Sequence, residues 1–508
     1  MDLFSNLALG LETALTPVNL LYCFFGVFLG TLIGVLPGIG ALAAISMLFP
    51  ITFHLEPTTA LIMLAGIYYG TAYGGSTASI LLNIPGGTSS AVTCLDGYPM
   101  AKQGRAGVAL AMTAIGSFYG GVYGIIVLSL FAPAIASWAL AFGSAEYFAM
   151  MVLGLIAASA ISSGSVVKGL AMVVLGVLLA TVGMDPQSGT ARFTFGSLSV
   201  LDGLSISALA MGLFGVAEII TSVRATDSIK LDPKAFSYRT LMPTREDIRL
   251  SWGPMFRGST LGSLFGALPG TGPSVAAFVS YAVEKRVSKT PERFGKGAIE
   301  GVVAPETANN AADQTAFIPT LSLGIPGSAT MALMIGALMV HGIHPGPNLV
   351  AEQPSLFWGL VMSFWIGNVL LVILNLPLIG LWVRLLSVPY HFLYPAILMF
   401  ICIGAYSVHY SAFDVMVVFG FGLLGYLMRI FGMPPAPLLL GFVLGPLIEQ
   451  HFRRAMVLAR GDFTAVIERP ITGAILGLTF LILVWSLWSG WRAAQRLRER
   501  TRLMAQED

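Results

Sequence analysis

Two sets of glycines with identical spacing occur in the two halves of this 508-residue chain, and each set encloses a Leu-Pro pair. The sets are Gly26, Gly30, Gly34, Gly38 and Gly40, and Gly258, Gly262, Gly266, Gly270 and Gly272. Small residues at every fourth position are common where membrane helices pack closely, so one such ladder alone means little. Two matched ladders around matched Leu-Pro pairs indicate a duplicated unit.

Two further motifs repeat in the same order. Ile84-Pro85-Gly86 matches Ile325-Pro326-Gly327, and Gly183-Met184-Asp185-Pro186 resembles Gly432-Met433-Pro434-Pro435. The spacing between the copies grows along the chain, as small loop insertions would produce. Paired, interrupted hydrophobic segments in two halves of a chain are a sequence indicator of a transporter's binding site.

The composition places the chain in a membrane. It is 56% hydrophobic and only 10% charged, whereas soluble domains carry about 25% charged residues. Apolar runs long enough to cross a hydrocarbon core recur, and we predict about 12 transmembrane segments. Because lipid cannot satisfy backbone hydrogen bonds, these segments must be helical. The sequence therefore predicts an all-α polytopic membrane protein.

The charges predict how the halves are arranged. We expect repeat 1 at 1–223, a basic cytoplasmic linker at 224–253, repeat 2 at 254–460, and an extra helix with a basic cytoplasmic tail at 461–508. Basic segments stay on the cytoplasmic side. A re-entrant hairpin broken at Pro269-Gly270 enters the membrane and returns to the same side, so the basic segments before and after it can both be cytoplasmic. We favour inverted repeats; parallel repeats, with an even number of crossings per half, remain open.

The Pro-Gly motifs predict re-entrant or broken helices. Proline removes a backbone hydrogen bond, glycine permits a sharp reversal, and the helix that follows presents free N–H groups to an anion. Flanking hydroxyls add hydrogen-bond donors. The alternatives are that these hydroxyl residues only pack membrane helices together and that each break is only a kink in a helix. The candidate substrate-binding residues are Gly38, Gly40, Ser76, Thr77, Asn83, Gly86, Thr88, Ser89, Gly270, Thr271, Ser274, Gly327, Ser328 and Thr330.

A polar cluster precedes the second Ile-Pro-Gly motif. Asn309, Asn310 and Asp313 offer oxygen ligands for sodium, and Asp313 could instead carry a proton. Ionisable groups within a membrane are expensive and are functional candidates by default. The alternative is the polar start of a cytoplasmic helix.

No motif predicts an enzyme. The chain shows no catalytic triad, His341 and His344 lack a third metal ligand nearby, and the glycine-rich run around Gly74 lacks a phosphate-loop lysine. We therefore expect no cofactor, no metal and no nucleic acid partner, and we expect an ion gradient to supply the energy for active transport. An intramembrane enzyme and a passive scaffold or channel are the competing classes.

Four stretches carry a family resemblance. They are Gly34-Val35-Leu36-Pro37-Gly38-Ile39-Gly40, Tyr73-Gly74-Gly75-Ser76-Thr77 with Asn83-Ile84-Pro85-Gly86, Ala304-Pro305-Glu306-Thr307-Ala308-Asn309-Asn310-Ala311, and Ile318-Pro319-Thr320-Leu321-Ser322-Leu323-Gly324-Ile325-Pro326-Gly327-Ser328. From about Leu3 to Arg454, the chain resembles the large membrane subunit of the tripartite tricarboxylate transporters, TctA. The runner-up is the large subunit of the TRAP-type transporters for dicarboxylates or sialic acid.

The resemblance implies uptake of citrate-like carboxylates across a bacterial inner membrane. It implies two protein partners, a periplasmic solute-binding protein that delivers the substrate and a small membrane subunit, and a sodium or proton gradient as the driving force. Related families with paired re-entrant hairpins suggest an elevator-type motion by analogy. Tartrate, dicarboxylates and aromatic acids remain open as substrates.

Overall fold

Helices dominate the structure. The computed structural model describes residues 3–36, 38–161, 165–185, 187–222, 238–386 and 390–507. Within these ranges five helices are long and apolar enough to cross a membrane, and several shorter apolar helices accompany them. The predicted helical membrane protein is confirmed at this level, with one small β-hairpin that the sequence did not predict. The count of about 12 segments and the inversion of the repeats stay predictions.

The helices of the first half are α1 (Leu3–Ala14), α2 (Pro17–Val35), α3 (Ala41–Leu48), α4 (Pro57–Leu82), α5 (Thr93–Lys102), α6 (Ala106–Ala139), α7 (Ser144–Ile161), α8 (Val166–Ala180), α9 (Ile206–Ala210) and α10 (Ala217–Ser222). A π-helical stretch, Met211–Val216, joins the last two, and short 3₁₀ turns occupy Phe49–His54, Thr88–Ser90 and Leu198–Val200. Strands β1 (Gly183–Met184) and β2 (Ala191–Arg192) pair antiparallel, with Gly183 opposite Arg192.

The helices of the second half are α11 (Tyr238–Leu241), α12 (Arg245–Gly266), α13 (Gly272–Val287), α14 (Ile299–Thr315), α15 (Phe317–Leu323), α16 (Ala329–Val340), α17 (Pro347–Glu352), α18 (Pro354–Asn375), α19 (Ile379–Leu385), α20 (Tyr390–His409), α21 (Ala412–Ile430), α22 (Pro435–Leu458), α23 (Phe463–Ile467) and α24 (Pro470–Glu507). A 3₁₀ turn, Pro291–Arg293, precedes α14. The predicted linker 224–253 lies partly outside the described residues.

Matched positions of the two copies share the same backbone. Gly38 and Gly270 have φ of 83° and 84°, in the left-handed region that favours glycine. Before the Ile-Pro-Gly motifs, Asn83 with φ 56° caps the C-terminus of α4, and Gly324 with φ 68° caps that of α15. Left-handed caps of this kind terminate helices. The helix breaks therefore lie at or next to the Pro-Gly motifs from which they were predicted, in both copies.

The glycine ladders let pairs of helices touch backbone to backbone. A Cβ placed on Gly30 of α2 would lie 2.7 Å from the Ile67 Cα of α4, and one on Gly262 of α12 would lie 2.8 Å from the Ala308 Cα of α14. Side chains do not approach backbone this closely. The ladders therefore serve close helix packing, and in each copy the ladder helix packs against the helix that carries the polar residues.

One compact unit comprises Met1–Leu140 and Ser205–Tyr426 and holds parts of both copies. At its centre lies α14, whose residues are all buried although the helix is rich in polar side chains. The helices α6, α12 and α13 pack around it, with α4 and α5 also in contact. The most polar segment of the predicted site is thus held inside the unit.

A carboxylate from the first copy fixes the start of α14. Asp96 of α5 is fully buried, and its Oδ1 accepts hydrogen bonds from the backbone N–H groups of Gly295, Gly297 and Ala298 at 2.8–2.9 Å. The Tyr281 hydroxyl donates to Oδ2 at 2.9 Å. The Ala298 N–H is a donor that the start of a helix leaves without an intrahelical partner, and the Gly295 and Gly297 N–H groups belong to the turn that leads into it.

Replacing Asp96 by alanine leaves buried donors unsatisfied. Hydrogen bonds to charged groups contribute about 1.5–3 kcal/mol each, so we expect Asp96→Ala to lower the thermal unfolding temperature markedly in detergent. The matched control is Asp462→Ala, at an exposed cap that accepts from the Thr464 N–H at 2.9 Å, where about 1 kcal/mol is expected. Equal shifts for the two variants would refute the anchoring role of Asp96.

The second compact unit comprises Ala141–Leu204 and Leu427–Asp508. Arg192 of β2 pairs with Glu449 at 3.0 Å and with Asp185 at 3.4 Å, and Arg453 pairs with Asp185 at 3.1 Å. These four side chains form one network, which ties the hairpin to α22.

A second polar contact in this unit holds α24 against α7. Glu146 of α7 accepts hydrogen bonds from the Gly143 N–H at 2.8 Å and from the Thr472 hydroxyl at 2.9 Å, and it pairs with Arg469 at 2.9 Å. Glu146, Asp185 and Glu449 thus have structural partners.

Candidate functional site

Four chain breaks, two from each copy, are linked within the larger unit. We call them tip A (residues 38–40), tip B (84–90), tip C (267–272) and tip D (324–328). The Gly38 N–H donates to Pro85 O at 3.3 Å, which joins tips A and B. The Gly270 N–H donates to Gly327 O at 3.0 Å, which joins tips C and D. The two copies therefore pair their breaks in nearly the same way.

A contact between the two copies links the A–B pair of tips to the C–D pair. The Thr88 hydroxyl of tip B and the Ser274 hydroxyl of α13 lie 2.7 Å apart. Helix α3 begins just after tip A, and α16 just after tip D, where the Ser328 hydroxyl accepts from the Met331 N–H. The positive ends of helices are thus gathered at the tips, in the arrangement that suits an anion.

The predicted substrate-binding residues fall into two groups by exposure. Those at the tips that are exposed or half-buried are Gly38, Gly40, Asn83, Thr88, Ser89, Gly270, Thr271, Ser274 and Ser328. Those that are buried are Ser76, Thr77, Gly86, Gly327 and Thr330. The first group is accessible to a ligand in this structure, whereas the second group is not.

Two candidate hydroxyls already have structural partners. The Thr271 hydroxyl donates to Leu268 O at 2.9 Å and so stabilises the end of α12. The Ser76 hydroxyl donates to Glu306 at 2.7 Å and points into the unit. Thr88 and Ser274 are bonded to each other, so a bound carboxylate could accept both hydroxyl protons in place of this contact.

The amides proposed for the coupling ion are hydrogen-bonded to each other. The Asn310 amide donates to Asn309 Oδ1 at 2.7 Å, to the Ser117 hydroxyl at 2.8 Å and to Glu306 O at 2.9 Å. Asn309 in turn donates to the Glu306 carboxylate at 3.4 Å. This network stiffens the centre of α14 one helical turn before Asp313.

Asp313 is buried with incomplete hydrogen bonding. Only 2% of the residue is exposed, and its Oδ1 has no hydrogen-bond partner among the described residues. The Tyr68 hydroxyl on α4 faces Asp313 and Ser328, and the Tyr69 hydroxyl, which lacks a hydrogen-bond partner among the described residues, is close enough to interact with the same charge. A buried carboxylate without full compensation is very unfavourable. An acid with an unpaired oxygen beside two tyrosine hydroxyls suits a cation or a proton.

Sequence reasoning missed the two tyrosines and the partners of Glu306. Tyr68 and Tyr69 lie in a glycine-rich stretch of the first copy, far along the chain from Asp313, and nothing local marks them. Thr93 of α5 donates to the Glu306 carboxylate across a similar separation. The available signal for these residues was an apolar run with interspersed hydroxyl and tyrosine side chains. Such a run does not specify which acid those side chains face.

Comparison with known proteins identifies the family of the chain. A model of the tripartite tricarboxylate transporter TctA family matches residues 20–440. An uncharacterized 52.8 kDa protein in the TAR-I ttuC' 3' region of Agrobacterium vitis is 52% identical over 508 residues, 100% of both chains. An uncharacterized protein in the TAR-II ttuC' 3' region of the same organism is 56% identical over 226 residues, which are 44% of this chain and 93% of that protein. No solved structure matches the chain. The chain belongs to the tripartite tricarboxylate transporter TctA family.

Proposed function

We propose that this protein is the large subunit of a secondary-active importer for citrate-like tricarboxylates, driven by a sodium or proton gradient. The observation that carries the proposal is the linkage of four helix breaks, two from each copy, together with the buried acid Asp313, for which the described residues show no ion pair. Transporters built from repeats bind their substrates at such paired breaks. Membership of a tricarboxylate transporter family supports the substrate class.

The tips carry only neutral donors. Residues 38–40, 84–90, 267–272 and 324–328 contain no lysine or arginine. Backbone N–H groups and the hydroxyls of Thr88 and Ser274 would then hold the substrate's carboxylates. Donors without a full charge bind an anion less tightly than an arginine does. Such a site favours release into the cytoplasm after the site reorients.

A cation must accompany the substrate. Asp313 is a buried acid in the same unit as the tips. A multiply charged anion near such an acid is repelled unless positive charge enters with it. We assign the coupling ion, sodium or a proton, to Asp313 with Asn309 and Asn310, and we add the hydroxyls of Tyr68 and Tyr69.

The remaining parts of the proposal follow from the family. A periplasmic solute-binding protein would deliver the substrate, and a small membrane subunit would accompany this one in the inner membrane of a bacterium. The packing supports a two-fold relation between the copies: the ladder helix packs on the polar helix in each copy, while α6 of the first copy packs on α14 of the second, and α18 of the second on α4 of the first. Inverted and parallel repeats both produce such an exchange, and we propose the inverted arrangement with an elevator-type motion.

Uptake of labelled citrate into proteoliposomes tests the proposal. The liposomes contain this chain and its small partner, with or without the binding protein, under an imposed sodium or proton gradient. We expect uptake that requires both the gradient and the binding protein. If citrate is not taken up but another acid bound by the binding protein is, the proposed substrate is wrong and the proposed transport mechanism is retained. Failure with every bound acid under both gradients would contradict the proposal.

A further inference from the structure

An uncharged, largely apolar segment follows the β-hairpin of the second unit. We call residues 193–201 the apolar loop; they read Phe-Thr-Phe-Gly-Ser-Leu-Ser-Val-Leu and include no charged residue. Three of their side chains are largely exposed, Phe193 at 58%, Phe195 at 95% and Leu198 at 81%. Large apolar side chains clustered at a surface mark a contact with a membrane or with another molecule.

The apolar loop returns to the level at which α8 ends. In the hairpin Gly183 pairs with Arg192, so the next residue, Phe193, starts two residues beyond the end of α8. At the other end of the loop, the Met184 N–H donates to Leu201 O at 2.9 Å. Both ends of the loop are therefore fixed next to the C-terminal end of α8, while the turn of the hairpin extends away from it.

Helix α8 carries an exposed apolar stripe that leads to the loop. The helix is apolar, and Val167, Val174 and Leu178 are each more than half exposed. Their spacing of seven and four residues puts them on one face. The opposite side of the helix packs on α22, where a Cβ placed on Gly176 would meet Leu438 O. In a membrane protein this exposed stripe faces lipid, and the apolar loop begins where the stripe ends.

The backbone of the apolar loop suits a place where water is scarce. The Ser197 N–H donates to Thr194 O at 2.9 Å, and the Leu201 N–H donates to Leu198 O at 3.2 Å, so turns satisfy part of the loop's own polar backbone. An irregular segment exposed to lipid cannot lie in the hydrocarbon core, but it can lie among the headgroups. The apolar side chains of interfacial segments are buried about 5–10 Å into the boundary with the acyl chains.

Both phenylalanines of the loop have unusual backbone. Phe193 and Phe195 have φ of 53° and 50°, in the left-handed region that bulky residues rarely adopt. Such a conformation persists where the surrounding structure determines it, and it is found at functional sites. The hairpin supplies that support, because Arg192, directly before the loop, pairs with Asp185 and Glu449. The loop is thus held in one form that leaves its apolar side chains exposed.

We propose that the apolar loop is a membrane anchor, which inserts Phe193, Phe195 and Leu198 into the bilayer interface beside α8. The level of the loop favours lipid over a protein partner. A docking surface for a water-soluble protein would have to project beyond the headgroups, whereas this loop folds back to the end of α8 and continues its exposed apolar stripe. The proposal requires only that the chain spans a membrane, and it stands whether or not the chain imports citrate.

A fluorescent label at position 195 tests the proposal. The dye NBD is attached to Phe195→Cys in a chain whose three native cysteines are replaced by alanine, and the protein is reconstituted in liposomes. We expect lipids with a doxyl group at the shallow 5-position to lower the emission at least twofold, and aqueous iodide to have little effect. The matched control is Thr190→Cys, about 10 Å further from α8 along the hairpin, which should show the reverse.

Two results of this experiment would overturn the proposal. One is quenching of the label at position 195 by iodide to the same degree as the label at position 190. The other is loss of the lipid quenching when the small membrane subunit or the binding protein is added, because the loop would then be covered by a protein.

Photolabelling of the unaltered chain decides the case in which the labelled variants do not fold. The liposomes contain a lipid with a diazirine close to its headgroup, and mass spectrometry locates the adducts. We expect adducts in the apolar loop at least tenfold more often than at residues 187–190 of the hairpin turn. Equal labelling of the two segments would overturn the proposal, and so would labelling of α8 without labelling of the loop.

Discussion

Uptake driven by the coupling ion falls on the order of 100-fold when Asp313 is replaced by asparagine, at the upper end of usual coupling free energies. The reason is electrostatic. Asparagine keeps the shape of the side chain but holds neither a proton nor a full negative charge for a cation. Because the substitution also removes an uncompensated buried acid, the thermal unfolding temperature should stay equal or rise. Initial rates of citrate uptake under imposed gradients measure the first effect.

The control for this prediction is an acid elsewhere in the same unit. Glu352→Gln changes an exposed carboxylate at the end of α17 and should leave both ion dependence and stability as in the wild type. Unchanged sodium and proton dependence in Asp313→Asn would remove this residue from the coupling site. A Tyr68→Phe, Tyr69→Phe double variant should weaken ion dependence in the same direction.

The second large effect concerns the ladder between α12 and α14. Gly262→Ala places a Cβ 2.8 Å from the Ala308 Cα, and the two helices must separate. Overpacking typically costs about 1–3 kcal/mol, and here the obstacle is backbone that cannot rotate away. We expect a large fall in the unfolding temperature and in the yield of monodisperse protein. Gly30→Ala should do the same between α2 and α4, since the contact there is equally close.

A glycine in open space provides the comparison. A Cβ on Gly420 of α21 meets nothing within 4 Å, so Gly420→Ala should be neutral or slightly stabilising, by up to about 1 kcal/mol from helix propensity. The ladder interpretation would fail if the substitutions at Gly262 and Gly420 had the same effect.

The breaks and the ladders were predictable from the sequence because their causes are local. A proline followed by a glycine, as at Gly38 and Gly270, interrupts a helix and permits left-handed backbone, and a glycine at every fourth position defines a smooth helix face. The cluster at Asp313 was also visible, because intramembrane acids stand out in an apolar chain.

The side chains that surround the two acids were not predictable. Glu306 accepts hydrogen bonds from Ser76 and Thr93, and Asp96 accepts hydrogen bonds from backbone N–H groups within residues 295–298. Both are contacts between the two copies. Such contacts depend on how the helices pack, and neither propensity nor spacing encodes the pairing. The β-hairpin was not predicted for a different reason. Its strands have two residues each, which is too few for a periodic pattern.

The most direct test of the central claim, that the tips bind the carboxylate, is the KM for citrate in the double variant Thr88→Val, Ser274→Ala. Each hydroxyl can give the substrate a charge-assisted hydrogen bond of about 1.5–3 kcal/mol. We therefore predict that KM rises at least about tenfold while the unfolding temperature stays near that of the wild type. The control is Ser137→Ala, whose hydroxyl is exposed and donates to Ala134 O of its own helix. An unchanged KM in the double variant would contradict the assignment of the substrate site to these tips.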